Sequence, residues 1–398
     1  MRVAALIAGF VFCLSVAVDA FQTIILPRRP VGRLRITRIF YIVTWTPWSA
    51  LARRAHDPKA REQFYSIYGP GSLLLLLVVW ALLLVSGFGL LFFAMGTPFG
   101  DVMGGQTALG RLGTDLYVSG TTLFTLGLGD VVPHTFAARG LVIFESATGL
   151  GLVALVIGYV PVLYNTFSHR EVSVALLDGR AGSPPTSTEL LRRHAFDGGQ
   201  EALVVLLAEW ERWSAEILES HISYPILCFY RSQHDNQSWL SALTAVLDTC
   251  ALLISVVPGI ASRQAQLTFA MARHALVDLG HVFHLEKYEK QWLARGGPDR
   301  LPPENFQRVC DLMVEAHLRL CGDPEAPARL HALRALYEPH AQALADFLGM
   351  SLPGWVPEPR AKDQWKLVEA VRAQAAYAIK EIAVSDQSNA VRLHRDEH

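Results

Sequence analysis

The sequence predicts an all-α membrane protein, three transmembrane helices followed by an all-helical cytoplasmic domain, and three observations predict it. Of the 398 residues, 51% are hydrophobic and 18% charged, richer in apolar side chains than an ordinary soluble chain, with the excess before residue 166. Three apolar runs there are each long enough for a hydrocarbon core of about 30 Å. From residue 187 onward, apolar positions recur at three- and four-residue spacing with little alternation, the pattern of helices rather than a sheet.

Residues 3–26 are the first run. Arg2, an apolar core and Val18-Asp19-Ala20 loosely fit a cleaved signal peptide, but the run continues through Phe21 and Ile24-Ile25-Leu26, which favours an uncleaved span. Asp19 lies inside it. An acid at that depth is a functional candidate; its position toward the cytoplasmic end favours a plainer role, pairing with a nearby arginine. Residues 27–69 carry nine lysines and arginines, from Arg28 to Arg61, against Asp57 and Glu62. The positive-inside rule puts this stretch in the cytoplasm and the N-terminus outside. Within it Ile39 to Leu51 is short and interrupted by Pro47, and reads as an interfacial helix with Trp45 and Trp48 at headgroup level. It lacks the three-residue arginine repeat of a voltage sensor.

The second span, 71–96, has no charge between Glu62 and Asp101 and returns the chain outside. Residues 97–114 suit an extracellular turret. The third run, Gly140 to Phe167, crosses inward and leaves the remainder of the chain in the cytoplasm.

Between the second and third runs lies Thr125-Leu126-Gly127-Leu128-Gly129-Asp130. Alternating glycines let a backbone hold conformations closed to other residues, so that successive carbonyls point the same way. Four such strands around one axis give stacked oxygen rings able to replace the water shell of a cation. Leu116 to Phe124 is a short amphipathic run before it, and Val131-Val132-Pro133 leads outward after it. Residues 112–165 resemble the pore of the potassium-channel family, in particular small bacterial channels with one pore loop per subunit. The matching positions are Tyr117, Ser119, Thr122, Thr125, Gly127, Gly129, Asp130 and Pro133, with Glu145 and Gly149 in the third run.

The resemblance implies a re-entrant pore helix and filter, a homotetramer in the lipid bilayer, and passive potassium flux. It assigns the backbone carbonyls of Thr125, Leu126, Gly127 and Leu128 and the Thr125 hydroxyl to the ion, with Gly129 and Asp130 closing the filter. Three positions depart from the family pattern: Phe124 replaces a threonine, Leu126 a valine, and Leu128 the aromatic that stiffens the filter from behind. A weakly selective cation channel is therefore the alternative to a potassium-selective one. The bacterial inner membrane is the implied location.

Gly149 and Gly151, and lower down Gly158 and Pro161, are candidate hinges for opening; equally, the glycines could only permit close helix packing. Glu145 either supports the filter from behind or pairs with Arg139. The turn formers of 178–185 divide the chain into a first helix and basic segment (1–69), a pore domain (70–167), a linker (168–186) and a helical domain (187–398).

In that last domain Thr188 could cap a short helix. Gln200 to Glu219, Asn236 to Val257, Arg263 to His284, Pro303 to Leu320, Ala326 to Leu348 and Lys362 to Val384 show helical periodicity. Trp239 to Val257 is nearly long enough to span, but the central Asp248 favours a buried bundle helix. His274, Asp278 and His281 share one helical face. They could ligate a regulatory metal or respond to pH near neutrality, although a solvated polar face is the commoner cause of this pattern. Tyr230 to Gln237 is a connection or a ligand-facing loop.

Net charge is −1, so no basic field suggests nucleic acid. The five cysteines, Cys13, Cys228, Cys250, Cys310 and Cys321, lack zinc or redox spacing and read as reduced. No nucleophile elbow, phosphate-binding loop or zinc-protease motif is present, so the sequence predicts neither enzyme nor cofactor, with potassium as the permeating ion. A regulatory ligand or protein partner of the helical domain is expected but unnamed. A membrane-anchored sensor or scaffold that does not conduct is the reading of a different class.

Overall fold

The computed structural model describes residues 1–26, 35–96, 98–99, 107–233, 237–295 and 299–357. The predicted helix Lys362 to Val384, the basic residues Arg28, Arg29 and Arg33, and residues 97 and 100–106 of the turret lie outside them. Among the described residues there is no β-strand, only an isolated bridge between Phe99 and Pro133, and the predicted all-α fold is borne out.

Helix α1 (Arg2–Ala20) continues into a π-helical turn, Phe21–Ile25. Helix α2 spans Ile36–Ala52, α3 Pro58–Ala94, α4 Ala108–Leu123 and α5 Phe136–Ala181. Three segments, Arg2–Ile25, Pro58–Ala94 and Phe136–Ala181, are long and apolar enough to cross a membrane. Helices α3 and α5 have 37 and 46 residues, so at about 1.5 Å per residue both outlast the hydrocarbon core and carry on into the helical domain. Helix α3 starts well before residue 71 because Asp57 caps it, accepting from the Lys59 amide, and Pro58 opens the first turn.

Small residues set the packing of α1 on α3. A Cβ at Gly9 would come within 2.6 Å of the Gly87 carbonyl oxygen, and one at Gly87 within 2.6 Å of the Cys13 sulfur. This is the close backbone approach that lets helices associate where no hydrophobic effect drives them together. Asp19 joins three helices: its carboxylate accepts from the Thr37 amide (3.1 Å) and hydroxyl (2.5 Å) and from the Trp80 indole (3.0 Å), with Arg35 3.6 Å away.

The second half is a helical bundle: α6 (Ser187–Arg193), α7 (Gly199–Ser223), a 3-10 turn at Pro225–Phe229, α8 (Trp239–Ser255), α9 (Ser262–Val282), α10 (Glu286–Arg295), α11 (Pro303–Glu315), α12 (Ala326–Ala335) and α13 (Glu338–Leu348). Helix α8 is its axis, buried without interruption from Trp239 to Leu253. Asp248 is fully buried there and accepts two hydrogen bonds from Arg300 (3.2 and 2.6 Å) and one from the Tyr337 hydroxyl. Burial works against the Arg300 charge, but Asp248 more than offsets it and holds the guanidinium above its ordinary pKa. Arg300 and Arg334 both lie against the Trp355 ring, fastening residues 350–357 across the bundle.

Several expectations need correction. Trp45 does not present its ring to headgroups: it is 5% exposed, its ring packs on Tyr65, Tyr68 and Phe229, and its N–H donates to the Phe347 carbonyl at 3.1 Å. The Trp48 N–H likewise goes to the Phe64 carbonyl. Protein aromatics and carbonyls satisfy what an interface would otherwise have offered. Thr188 is not a cap. Thr186 caps α6 by accepting from the Glu189 amide, while the Thr188 hydroxyl donates to the Trp355 carbonyl. Ala326 to Leu348 is two helices, because Tyr337 leaves helical geometry and Pro339 sits at the start of the second. Helix α10 was not anticipated. The five thiols are free.

Candidate functional site

The loop between α4 and α5 is built from the pore helix upward. Thr107 caps α4, accepting from the Gly110 amide at 3.2 Å, and Thr135 caps α5, accepting from the Ala138 amide at 3.2 Å. At the end of α4 the Thr125 amide donates to the Thr122 carbonyl (3.0 Å), and the Leu126 and Gly127 amides donate to the Thr121 carbonyl (2.8 and 3.4 Å). Three successive N–H groups are thus tied back toward the helix.

The dihedrals alternate. Thr125, Gly127 and Gly129 have φ of +56°, +54° and +77°, while Leu126 and Leu128 stay in the ordinary negative region. Left-handed geometry suits the glycines but strains a β-branched threonine. Glycines at alternate positions allow a backbone whose successive carbonyls point to one side. Leu126 and Leu128 are 62% and 63% exposed, so neither packs within its own chain as a filter-backing aromatic would.

The frame around the loop is polar, exposed at its Asp130 end and buried at Ser119 and Glu145. The Tyr117 hydroxyl donates to Asp130 at 2.7 Å, pinning the outer end of the loop to α4. The Ser119 hydroxyl lies 3.0 Å from the Val85 carbonyl oxygen on α3 and 2.5 Å from a Glu145 oxygen on α5, joining outer, pore and inner helices. Glu145 is therefore bonded to the helix before the loop, and its hydrogen bond goes to Ser119 rather than to residues 125–130. Arg139, its alternative partner, instead donates to the Pro133 carbonyl at 3.2 Å.

Gly149 is a contact point. A Cβ there would stand 2.0 Å from the Leu123 carbonyl oxygen, whereas Gly151 and Gly158 have open space beside them. Helix α5 runs unbroken through all three glycines and Pro161. Beyond Phe167 one face of α5 docks on the bundle. Arg170, 3% exposed, donates to the Leu227 carbonyl (2.9 Å) and the Tyr230 carbonyl (2.9 Å), pairs with Glu171, and lies 3.2 Å from the His221 imidazole. Burial, and then the Arg170 charge, push the His221 pKa well below its usual value. Arg231 makes a second clasp: it is held by the Leu348 and Gly349 carbonyls, lies 3.5 Å from Glu62 and rests over the Tyr65 ring. Tyr230 and Arg231, part of the stretch read as a connection or ligand loop, thus hold structure together; residues 234–236 lie outside the described part.

The histidine face on α9 is arranged around one carboxylate. Asp278 is 3.7 Å from His274 and 3.9 Å from His281, and both imidazoles are about half exposed. Among the described residues no group of three or more His, Cys, Asp or Glu side chains is arranged to hold a metal.

Sequence reasoning passed over Arg170 as a mere exit marker, although its spacing from Leu163, Phe167, Val174 and Leu177, three or four residues apart, was a signal of the buried face. It gave no role to Ser119, whose bond to Glu145 depends on how two distant helices cross.

The ion channel family matches residues 78–163, from the middle of α3 to the lower part of α5. Over 277 residues, 66% of this chain and 79% of the other, the sequence is 26% identical to the "Uncharacterized membrane protein YdjJ" of Bacillus subtilis (strain 168). No solved structure matches significantly.

Proposed function

We propose that this chain, whose residues 78–163 form an ion-channel pore domain, is one quarter of a potassium-selective channel. The observation that carries the reading is the alternating backbone of Thr125 to Gly129, hung between a pore helix and an inner helix with its amides tied back. Each chain has one such loop among its described residues. Four around an axis supply the carbonyl rings, with the Thr125 hydroxyl innermost, and ions pass down their gradient without catalysis. The N-terminus lies outside and the helical domain in the cytoplasm. That domain regulates opening by moving α5 through the Arg170 clasp, and the free-standing Gly151 and Gly158 are the positions where α5 can bend.

The experiment is recording from the purified protein in planar bilayers with potassium on one side and sodium on the other. A reversal potential near that of potassium is expected. A value near zero with clear openings supports a weakly selective cation pore, the second reading, which the unbacked Leu128 favours. Replacing Leu128 by tyrosine then raises the potassium-to-sodium permeability ratio. Silence across pH, calcium and voltage favours a sensor or scaffold that does not conduct.

A further inference from the structure

The Ser119 hydroxyl stands between two oxygens where α3, α4 and α5 cross. It lies 3.0 Å from the Val85 carbonyl oxygen and 2.5 Å from a Glu145 oxygen, and both are hydrogen-bond distances. A serine hydroxyl owns one hydrogen and a backbone carbonyl oxygen owns none. Ser119 can therefore donate to only one of its two neighbours. With Glu145 as a carboxylate, the other contact sets two acceptors against each other with no hydrogen between them. With Glu145 as a carboxylic acid, its O–H donates to Ser119, the Ser119 O–H donates to Val85, and both contacts have their hydrogen.

The surroundings agree with the neutral form. Glu145 is 0% exposed, and its second oxygen is buried without a hydrogen-bond partner. The carbonyl oxygen of a neutral acid costs far less in that position than one end of a carboxylate charge. No cation balances such a charge: Arg139, the nearest basic residue in sequence, is bonded to the Pro133 carbonyl, and among the described residues no lysine, arginine or histidine pairs with Glu145. Few titratable groups face it from the helices around it. Helix α1 brings the Cys13 thiol, and α3 has no charged residue after Glu62. Helix α4 carries Asp115 and Arg111 one and two turns before Ser119, and its Tyr117 hydroxyl is bonded to Asp130.

We infer that Glu145 is present as the neutral carboxylic acid and acts as a hydrogen-bond donor, at the head of a relay that runs through Ser119 to the Val85 carbonyl and ties the inner helix to the pore helix and the pore helix to the outer one. It is a positioning residue. It holds α4, and through α4 the loop that starts at Thr125, without bonding to the loop itself. Ionisation removes the first hydrogen of the relay and puts a charge into a sealed contact, so the joint weakens as the pH is raised. The effect on current rests on the channel reading above, whereas the protonation state and the joint do not.

The acid form is read by infrared spectroscopy of the purified full chain in detergent at neutral pH, where the C=O stretch of a protonated carboxyl stands apart from the carboxylate bands. Subtracting the spectrum of Glu145→Gln from that of wild type is expected to leave one protonated-carboxyl band. Carboxylate bands in its place overturn the inference. Glutamine is neutral and keeps an N–H donor, so Glu145→Gln holds the thermal midpoint near that of wild type, while Glu145→Ala and Ser119→Ala each lower it by several degrees. From neutral to alkaline pH the midpoint of wild type falls further than that of Glu145→Gln, and in bilayer recording the alkaline loss of current is smaller in that variant. If Glu145→Gln is as unstable as Glu145→Ala, or does not fold, a neutral donor does not replace the native side chain and the inference falls. The band and the midpoints are read without any current, so a silent channel counts against the channel reading alone.

Discussion

Helices α5 and α8 are both strongly apolar, yet the chain treats them differently. Helix α8 is buried on every side from Trp239 to Leu253, and its one acid is neutralised inside the bundle by Arg300 and Tyr337. In α5 only 11% of the most apolar stretch is buried, with Ile143, Phe144, Leu150, Val153 and Ile157 all exposed. A single chain therefore completes the core of its bundle but leaves most of the apolar surface of the inner helix α5 uncovered. Apolar composition alone does not separate the two cases. Length does, since 17 residues fall short of a bilayer and 46 exceed it.

The largest expected break in this contrast lies in the bundle. Arg300→Met strands the Asp248 carboxylate and costs about 3–5 kcal/mol, read as a fall in the thermal midpoint of the purified protein. Combining it with Asp248→Leu restores most of that loss, because an apolar pair of similar volume suits the site. Substitutions on the exposed face of α5, such as Ile143→Ala, change the unfolding of a single chain little by comparison.

Within the pore, Gly149→Ala places a methyl against the Leu123 carbonyl and costs about 1–3 kcal/mol, with loss of current in the bilayer recording. Gly151→Ala, which has open space, leaves stability nearly unchanged. If Gly149→Ala leaves stability unchanged while Gly151→Ala lowers it, the tight crossing of α4 and α5 is wrong. Between the two regions, Trp45→Phe keeps the aromatic cluster but deletes the bond to the Phe347 carbonyl, worth about 1 kcal/mol, and lowers the thermal midpoint modestly.

The smallest effect concerns pH. His221 has a folded pKa well below its ordinary value of 6.5. The unfolded chain therefore binds the proton first, so the stability this neutral imidazole contributes is full above about pH 6.5 and is lost as pH falls toward the lower folded value. His221→Gln flattens that acid limb of the stability curve.

Much of this was legible because it depends on local rules. Apolar run length marked the three candidate spans, and helical periodicity marked α7, α8, α9 and α11 to within a few residues of most ends. The alternating glycines marked Thr125 to Asp130 as a special backbone. Trp45 was misplaced because an aromatic in a short basic segment has the same local signature at a lipid interface and in a protein joint. The break at Tyr337 was missed because Leu333, Leu336 and Leu344 keep the apolar pattern running across it.

What the sequence determined by itself is therefore the one-dimensional part: how long each apolar segment is, which face of each helix is apolar, and where glycine permits left-handed backbone. Tertiary structure alone decided who meets whom. Asp19 found Thr37 and Trp80, Glu145 found Ser119, Arg170 found the carbonyls after α7, and Arg300 found Asp248. A buried polar group must be satisfied by some partner. The identity of that partner depends on how distant helices cross, and helical periodicity carries no record of that.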